Sequence, residues 1–137
     1  MSTLLIPHST AGAEDRLRAR LRQNALFSAM GGVVAAAGCV PLADAMGVSQ
    51  WWLVLAIGLG LLAFAGLVWV AAGRPTDKLA AESLEISLAD ASWVIGSVVV
   101  VALGVFTTFG AALMLGQAAV VAFFGTTQAR LRTHVLA

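Results

Sequence analysis

The 137 residues include no tyrosine, a single cysteine, two histidines and three prolines. One cysteine, Cys39, excludes an intramolecular disulfide and any cysteine-based zinc site. It reads as a small buried apolar residue. His8 and His134 stand in opposite tails, so neither a metal site nor a transmembrane bis-histidine haem is expected, and both read as solvated side chains. Charged residues make up only 11% of the chain and nothing in it supports nucleic-acid binding. Nucleophile-elbow, zincin, P-loop and dinucleotide-binding signatures are all missing. Catalysis and a cofactor are therefore not expected.

What the chain has in abundance is apolar surface. Its hydrophobic content is 60% and its mean hydropathy +0.93, outside the range of soluble domains. The 14 glycines and the many alanines and valines suit helices packed closely through small side chains. We read residues 1–137 as one membrane domain with no room for a second.

A bilayer core about 30 Å thick needs roughly 20 apolar residues per helix, with about 17 as a lower bound. Four stretches qualify, at about 25–43, 52–72, 91–108 and 110–127. The first is expected to stop at Pro41, where a helix loses a donor. It reads as a retained span, with cleavage of a signal peptide near Ala43 as the lesser alternative, because the arginines follow an uncharged start. The third and fourth form one apolar run too long for a single span, and a tight turn is expected at Thr107, Thr108, Phe109 and Gly110.

Orientation follows from the basic residues, which cytoplasmic loops retain. Arg16, Arg18, Arg20 and Arg22 precede the first span, Arg74 and Lys78 follow the second, and Arg130 and Arg132 follow the fourth. Four spans place all eight on one side. The expected fold is thus an all-α, four-transmembrane-helix bundle, up-down-up-down, in a bacterial inner (cytoplasmic) membrane with both termini cytoplasmic. Trp51, Trp52, Trp69 and Trp93 lie near span ends, where indoles favour the interface.

Two cytoplasmic segments look amphipathic. Residues 1–23 form a basic N-terminal segment in which Glu14 precedes Arg18 by four and Leu17 and Leu21 share a face, an arrangement that could run straight into the first span. Residues 74–90 read as a linker, a short surface helix joining two hairpins, with partner docking as the alternative. The four arginines are also candidate ligands for anionic lipid headgroups.

Sliding the chain on itself by 66 residues aligns Asn24, Ala25, Phe27, Val33, Val34, Ala36 and Gly38 with Asp90, Ala91, Trp93, Val99, Val100, Ala102 and Gly104. A different shift pairs Gly60, Ala63 and Arg74 with Gly116, Ala119 and Arg130. Common residues produce such matches by chance, so coincidence and a true parallel repeat of two helical hairpins both stay open.

Few polar residues need explaining. Asp90 reads either as the N-cap of the third helix or as the centre of a polar site with Asn24, Ser28 and Ser92, with Arg22 a further candidate. Gln117, near the middle of the fourth span, must find an interhelical or ligand partner. Gln128 is expected at the interface, satisfied by solvent. Ser28 with Gly32, Ala56 with Gly60, Ser92 with Gly96 and Ala112 with Gly116 recur at a spacing of four and predict close helix approach. The unbroken valines 98–101 are expected to face lipid.

The runs from Arg22 to Ser28 and from Ser87 to Ser97 resemble a pattern in small uncharacterised bacterial four-helix membrane proteins, a resemblance that implies the fold but no activity and no site residues. The small multidrug resistance transporters are similar in size and span number, yet their coupling acid lies inside the first span, where this chain has only Ser28. The functional expectation is a non-enzymatic inner-membrane protein, a subunit of a larger assembly or a homo-oligomer, in contact with membrane lipid. The alternatives are a small oligomeric transporter or channel and a binder of a lipid-like or quinone-like ligand.

Overall fold

The structure is a computed structural model that describes residues 8–137, with side chains from Thr10 onward. The described residues are helical, with no strand: α1 His8–Ala37, α2 Cys39–Met46, α3 Trp51–Ala72, α4 Thr76–Ala102 and α5 Thr108–Leu136. Helices α3, α4 and α5 are each long and apolar enough to cross a membrane, and α1 with α2 forms a fourth candidate span bent by 91° at its break. Residues 1–7, most of the uncharged start, lie outside the described residues.

The basic segment 8–23 and the first apolar run are one helix. Glu14 and Arg18 pair one turn apart, and Ala13, Leu17, Leu21, Asn24, Ala25, Ser28, Gly32 and Ala35 bury a single face at spacings of three and four. The helix breaks at Gly38 and not at Pro41. Pro41 sits in the first turn of α2, where its missing N–H would have had no helical partner, so it starts a helix where the sequence predicted an end. Gly47 closes α2 in the left-handed conformation, φ 77°, with the amides of Gly47 and Val48 bonded back to Asp44 and Ala43.

The linker expected over 74–90 is the first half of α4, which continues unbroken into the third apolar run. Leu79, Ala80, Ser83 and Ile86 are all buried, a helical spacing that the sequence pattern of Leu79, Leu84, Ile86 and Leu88 obscured. The turn before the fourth run is present but earlier than expected, over residues 103–107. Gly104 takes φ 71°, and Thr107 caps α5 by accepting from the amide of Gly110 at 3.1 Å.

α1 packs along α3, α4 along α5, and α1 also meets α5, whereas α3 and α4 touch little. The tightest approach is at Gly32 and Gly58, where a Cβ on Gly58 would lie 2.6 Å from the amide nitrogen of Ala36 and one on Gly32 would lie 2.8 Å from the carbonyl of Gly58. Gly32 was anticipated; Gly58 was not. Gly60, Gly96 and Gly116 have open space around them and make no such approach.

Two apolar cores result. One unites Leu17, Leu21, Ala25, Val68, Ala71, Ala72, Leu79 and Ile86, with Phe64, Leu131 and Val135 against it. The smaller joins Ala35, Ala43 and Val54, with the half-buried Cys39 beside them. Hydrogen bonds bring the basic segments together at one end of the molecule: Arg18 donates to the carbonyls of Ala72 and Arg74, both at 2.7 Å, and Arg132 to that of Ala80 at 2.7 Å. At the other end, Thr107 donates from its amide to Met46 at 3.0 Å and from its hydroxyl to Ala45 at 2.7 Å, which ties α2 to the start of α5. The outer face carries exposed Met30, Leu67, Ile95 and Leu103, as lipid contact requires, and Val98 and Val99 are exposed with them.

Candidate functional site

Between the two cores lies a polar layer. Asn24 on α1 has no exposed surface, Asp90 on α4 is 3% exposed and Ser28 is 5% exposed. Asn24 Nδ2 donates to Asp90 Oδ2 at 2.8 Å, and Ser28 Oγ donates to Asn24 Oδ1 at 3.4 Å. The chain of donors therefore runs from serine through amide to carboxylate, and Asp90 is its terminal acceptor. Asp90 Oδ1 accepts nothing among the described residues, and neither ion pair found among them includes Asp90. On α5, Gly125 admits the acid: a Cβ there would stand 3.3 Å from that of Asp90.

The N-cap reading of Asp90 is overturned, because Asp90 lies well inside α4 and Pro75 precedes its first turn. Its depth follows from the helix rise. Arg18 marks the level of the α3 terminus, and Asn24 is six residues further along α1, about 9 Å deeper at 1.5 Å per residue.

A cavity of about 270 Å³ opens beside the acid. Ser28, Phe64, Asp90, Trp93 and Gln117 line it together with Ile57, Gly60, Leu61, Ala89 and Val121, so all four long helices contribute. The two polar candidates that the sequence placed on separate helices, Asp90 and Gln117, thus face one space. A second cavity of about 660 Å³, almost wholly apolar, continues toward α2 and shares Ile57, Leu61, Trp93 and Gln117 with the first. Phe27 lines it too and packs against Phe124 in a tilted arrangement, ring centroids 5.9 Å apart and planes at 52°.

Other expectations fare differently. Ser92 is exposed and bonded to the carbonyl of Leu88 at 2.9 Å, away from the site. A one-residue offset accounts for this: Asp90 and Trp93 share the inward face of α4, and position 92 turns outward. Trp93 is no interface anchor, since its Nε1 is buried without a partner and its ring lines both cavities, while Trp51, Trp52 and Trp69 are exposed. Gln128, expected in solvent, is fully buried with both amide atoms unpartnered, as is the hydroxyl of Ser87. Nothing in the sequence distinguished Gln128 from a surface glutamine, because its burial depends on α5 continuing two turns past the apolar run.

The arginines divide as well. Arg18 is engaged by the α3 terminus and by Glu14, a cation at a helix C-terminus. Glu14 also accepts from Thr76 at 3.0 Å, and these two donors, Arg18 first, hold its carboxyl below the ordinary value. Arg20 lies over Phe123 at 5.3 Å and Arg22 over Trp69 at 5.8 Å, outside the polar site. Arg16 is exposed. Among the described residues no three His, Cys, Asp or Glu side chains come together in a way that could hold a metal.

No protein-family model matches the chain, and neither a curated protein nor a solved structure is similar enough to count as a match.

Proposed function

We propose that this protein holds a small amphiphilic molecule, lipid-like or quinone-like, between its helices, and does so without catalytic chemistry. The observation that carries the reading is the continuity of the two cavities. A smaller recess that holds the polar groups of Asp90 and Gln117 among apolar side chains leads into a larger apolar one, which matches a ligand with one polar group and a hydrophobic body. Binding to further membrane subunits or to other copies of the chain is compatible with this but has no comparable feature behind it.

The reading includes four spans in an inner membrane, up-down-up-down, with the arginine-bearing end cytoplasmic. From Arg18 to Ala37, α1 rises about 29 Å, close to the core thickness of about 30 Å, and runs alongside α3 from its last carbonyls to Gly58. Arg20 and Arg22 then lie within about 6 Å of that end at 1.5 Å per residue, their guanidinium groups over the rings of Phe123 and Trp69. It also includes descent of the two hairpins from one unit. At a shift of 66, the buried positions Ala13, Leu17 and Asn24 fall on the buried Leu79, Ser83 and Asp90; at a shift of 56, Val54, Ala65, Val68 and Ala72 fall on Gly110, Val121, Phe124 and Gln128. The Asn24–Asp90 bond would then cross the pseudo-two-fold axis, which explains why a site forms there.

Native mass spectrometry of protein extracted gently from its membrane tests the ligand reading, with Gly60→Leu as the control. Gly60 lines the first cavity and has open space at its Cβ, so leucine fills the recess without displacing a helix. The expected result is a stoichiometric amphiphile on the wild type and none on the variant. A wild type that retains nothing and takes up no added amphiphile sinks the proposal.

A further inference from the structure

We infer that the ligand's polar group is a cation, an alkylammonium or similar head, that it pairs with Asp90, and that it enters sideways from the lipid between α3 and α4. The inference rests on the ligand-binding reading above and adds the chemistry of the head and its route.

The charge argument comes first. An acid well inside a membrane helix bundle is retained where something pairs with it. Asn24 supplies one hydrogen bond to Oδ2, but among the described residues Oδ1 accepts none, and no arginine, lysine or histidine of theirs lines either cavity. The bases nearest in sequence on α1, Arg20 and Arg22, are directed over Phe123 and Trp69. A carboxylate with no basic partner, in a space of low polarity, selects a positive guest, because a cation cancels its charge where the dielectric is low. A metal ion would require more ligands than this one acid provides.

The walls agree with that choice. Phe64 from α3 and Trp93 from α4 line the same cavity as Asp90, and aromatic rings attract ammonium groups, most strongly where water is excluded. Gln117 adds an amide carbonyl that can accept an N–H. Asn24 donates to Oδ2, so Oδ1 is the carboxyl oxygen left to accept from the guest. Beyond the head, the second cavity receives the alkyl chain.

The route follows from the packing. α1 is sealed against α3, with backbones in contact at Gly32 and Gly58, and α4 against α5, where Gly125 accommodates Asp90. α3 and α4 join at the Gly73–Pro75 turn and otherwise touch little. Ile57, Gly60, Leu61 and Phe64 on one side and Ala89, Asp90 and Trp93 on the other line the slot left between them. An amphiphile dissolved in the bilayer reaches the acid by that path without crossing water.

The test uses the full chain in zwitterionic lipid nanodiscs, with dodecylammonium, the uncharged dodecanol and the anionic dodecanoate as chain-matched probes, binding being read by native mass spectrometry. Wild type is expected to bind the ammonium at least about tenfold more tightly than the alcohol, the size of a hydrogen bond to a charged group, and to bind the carboxylate least. Asp90→Asn keeps the side chain's shape and an oxygen for Asn24 and should reduce the ammonium-to-alcohol ratio to near one. Gly60→Leu should remove both. Equal binding of ammonium and alcohol by the wild type, with loss of both in Gly60→Leu, overturns the cationic head and leaves the binding site standing. Absence of any binding sensitive to Gly60→Leu overturns the site together with this inference. The wild-type ratio decides the question even if Asp90→Asn does not fold.

Discussion

The arginine-bearing end and the α2 end of this molecule are built from similar residues but packed in different ways. At the first, Leu17, Leu21, Val68, Ala72 and Leu79 are completely buried, and Arg18, Thr76 and Arg132 stitch helix ends to one another. At the second, the short α2 and the stapled Thr107 close the structure around a cavity, and Met30, Val34 and Phe109, which line it, remain largely exposed. The comparison teaches that apolar content does not set packing here. In lipid, an aliphatic side chain loses little by facing outward, so cores form where small residues and hydrogen bonds hold backbones together, and space persists where they do not. Asn24 and Asp90 sit at the boundary, and the cavities begin where the tight end stops.

The sharpest way to break the comparison is at the contact of Gly32 with Gly58, where the backbones of α1 and α3 meet. Gly58→Val should destabilise the fold by about 3 kcal/mol, the upper range for forced overpacking, because its branched side chain meets backbone of α1. Thermal unfolding in detergent measures this; a change below about 1 kcal/mol would mean that α1 and α3 separate freely. Removal of a fully buried leucine comes next. Leu21→Ala is expected to cost about 2 kcal/mol, the low end for such truncations, since the lipid-exposed reference state weakens the transfer contribution. Leu113→Ala, on the cavity wall and 42% exposed, should cost far less. Similar losses at both sites would remove the distinction between the ends.

At the boundary, Asn24→Leu strips Asp90 of its one side-chain donor among the described residues and should cost about 1–3 kcal/mol, with the loss largely relieved in the double variant Asn24→Leu/Asp90→Leu. Additive losses in that double-mutant cycle would deny the coupling. The smallest effect belongs to Glu14. Its carboxyl is held below the ordinary value near 4.5 by Arg18 and Thr76, so its contribution is present in full above that value and disappears as pH falls through the lowered one. Wild type and Glu14→Gln should therefore differ in melting temperature at pH 7 and converge only once the pH has fallen through that lowered value. A gap that persists at low pH would assign the effect to packing.

Much of this arrangement was legible beforehand, and the failures have a common cause. Helix positions in the apolar runs, the shared end for the basic segments and the membership of Asn24, Ser28 and Asp90 in one site all follow from spacing and charge. Hydropathy, however, locates the apolar part of a helix and not its ends. α1, α4 and α5 each extend well beyond their apolar runs, and that extension buries Leu79 in the expected linker and Gln128, which was expected in solvent. For the same reason Asp90, just outside an apolar window, could be read as a cap as well as a site residue, although it lies inside a helix.

The sequence alone determined that the chain is helical, that its apolar runs suit lipid and that its positive charge gathers at one end, because composition, run length and charge order act locally. The tertiary structure decided which small residues touch, that Gly58 and not Gly60 meets Gly32, and that Asp90, Trp93 and Gln117 line a single cavity. Those outcomes depend on the rotation and register of one helix against another, and a one-residue turn of α4 would have presented Ser92 to the site and Asp90 to lipid.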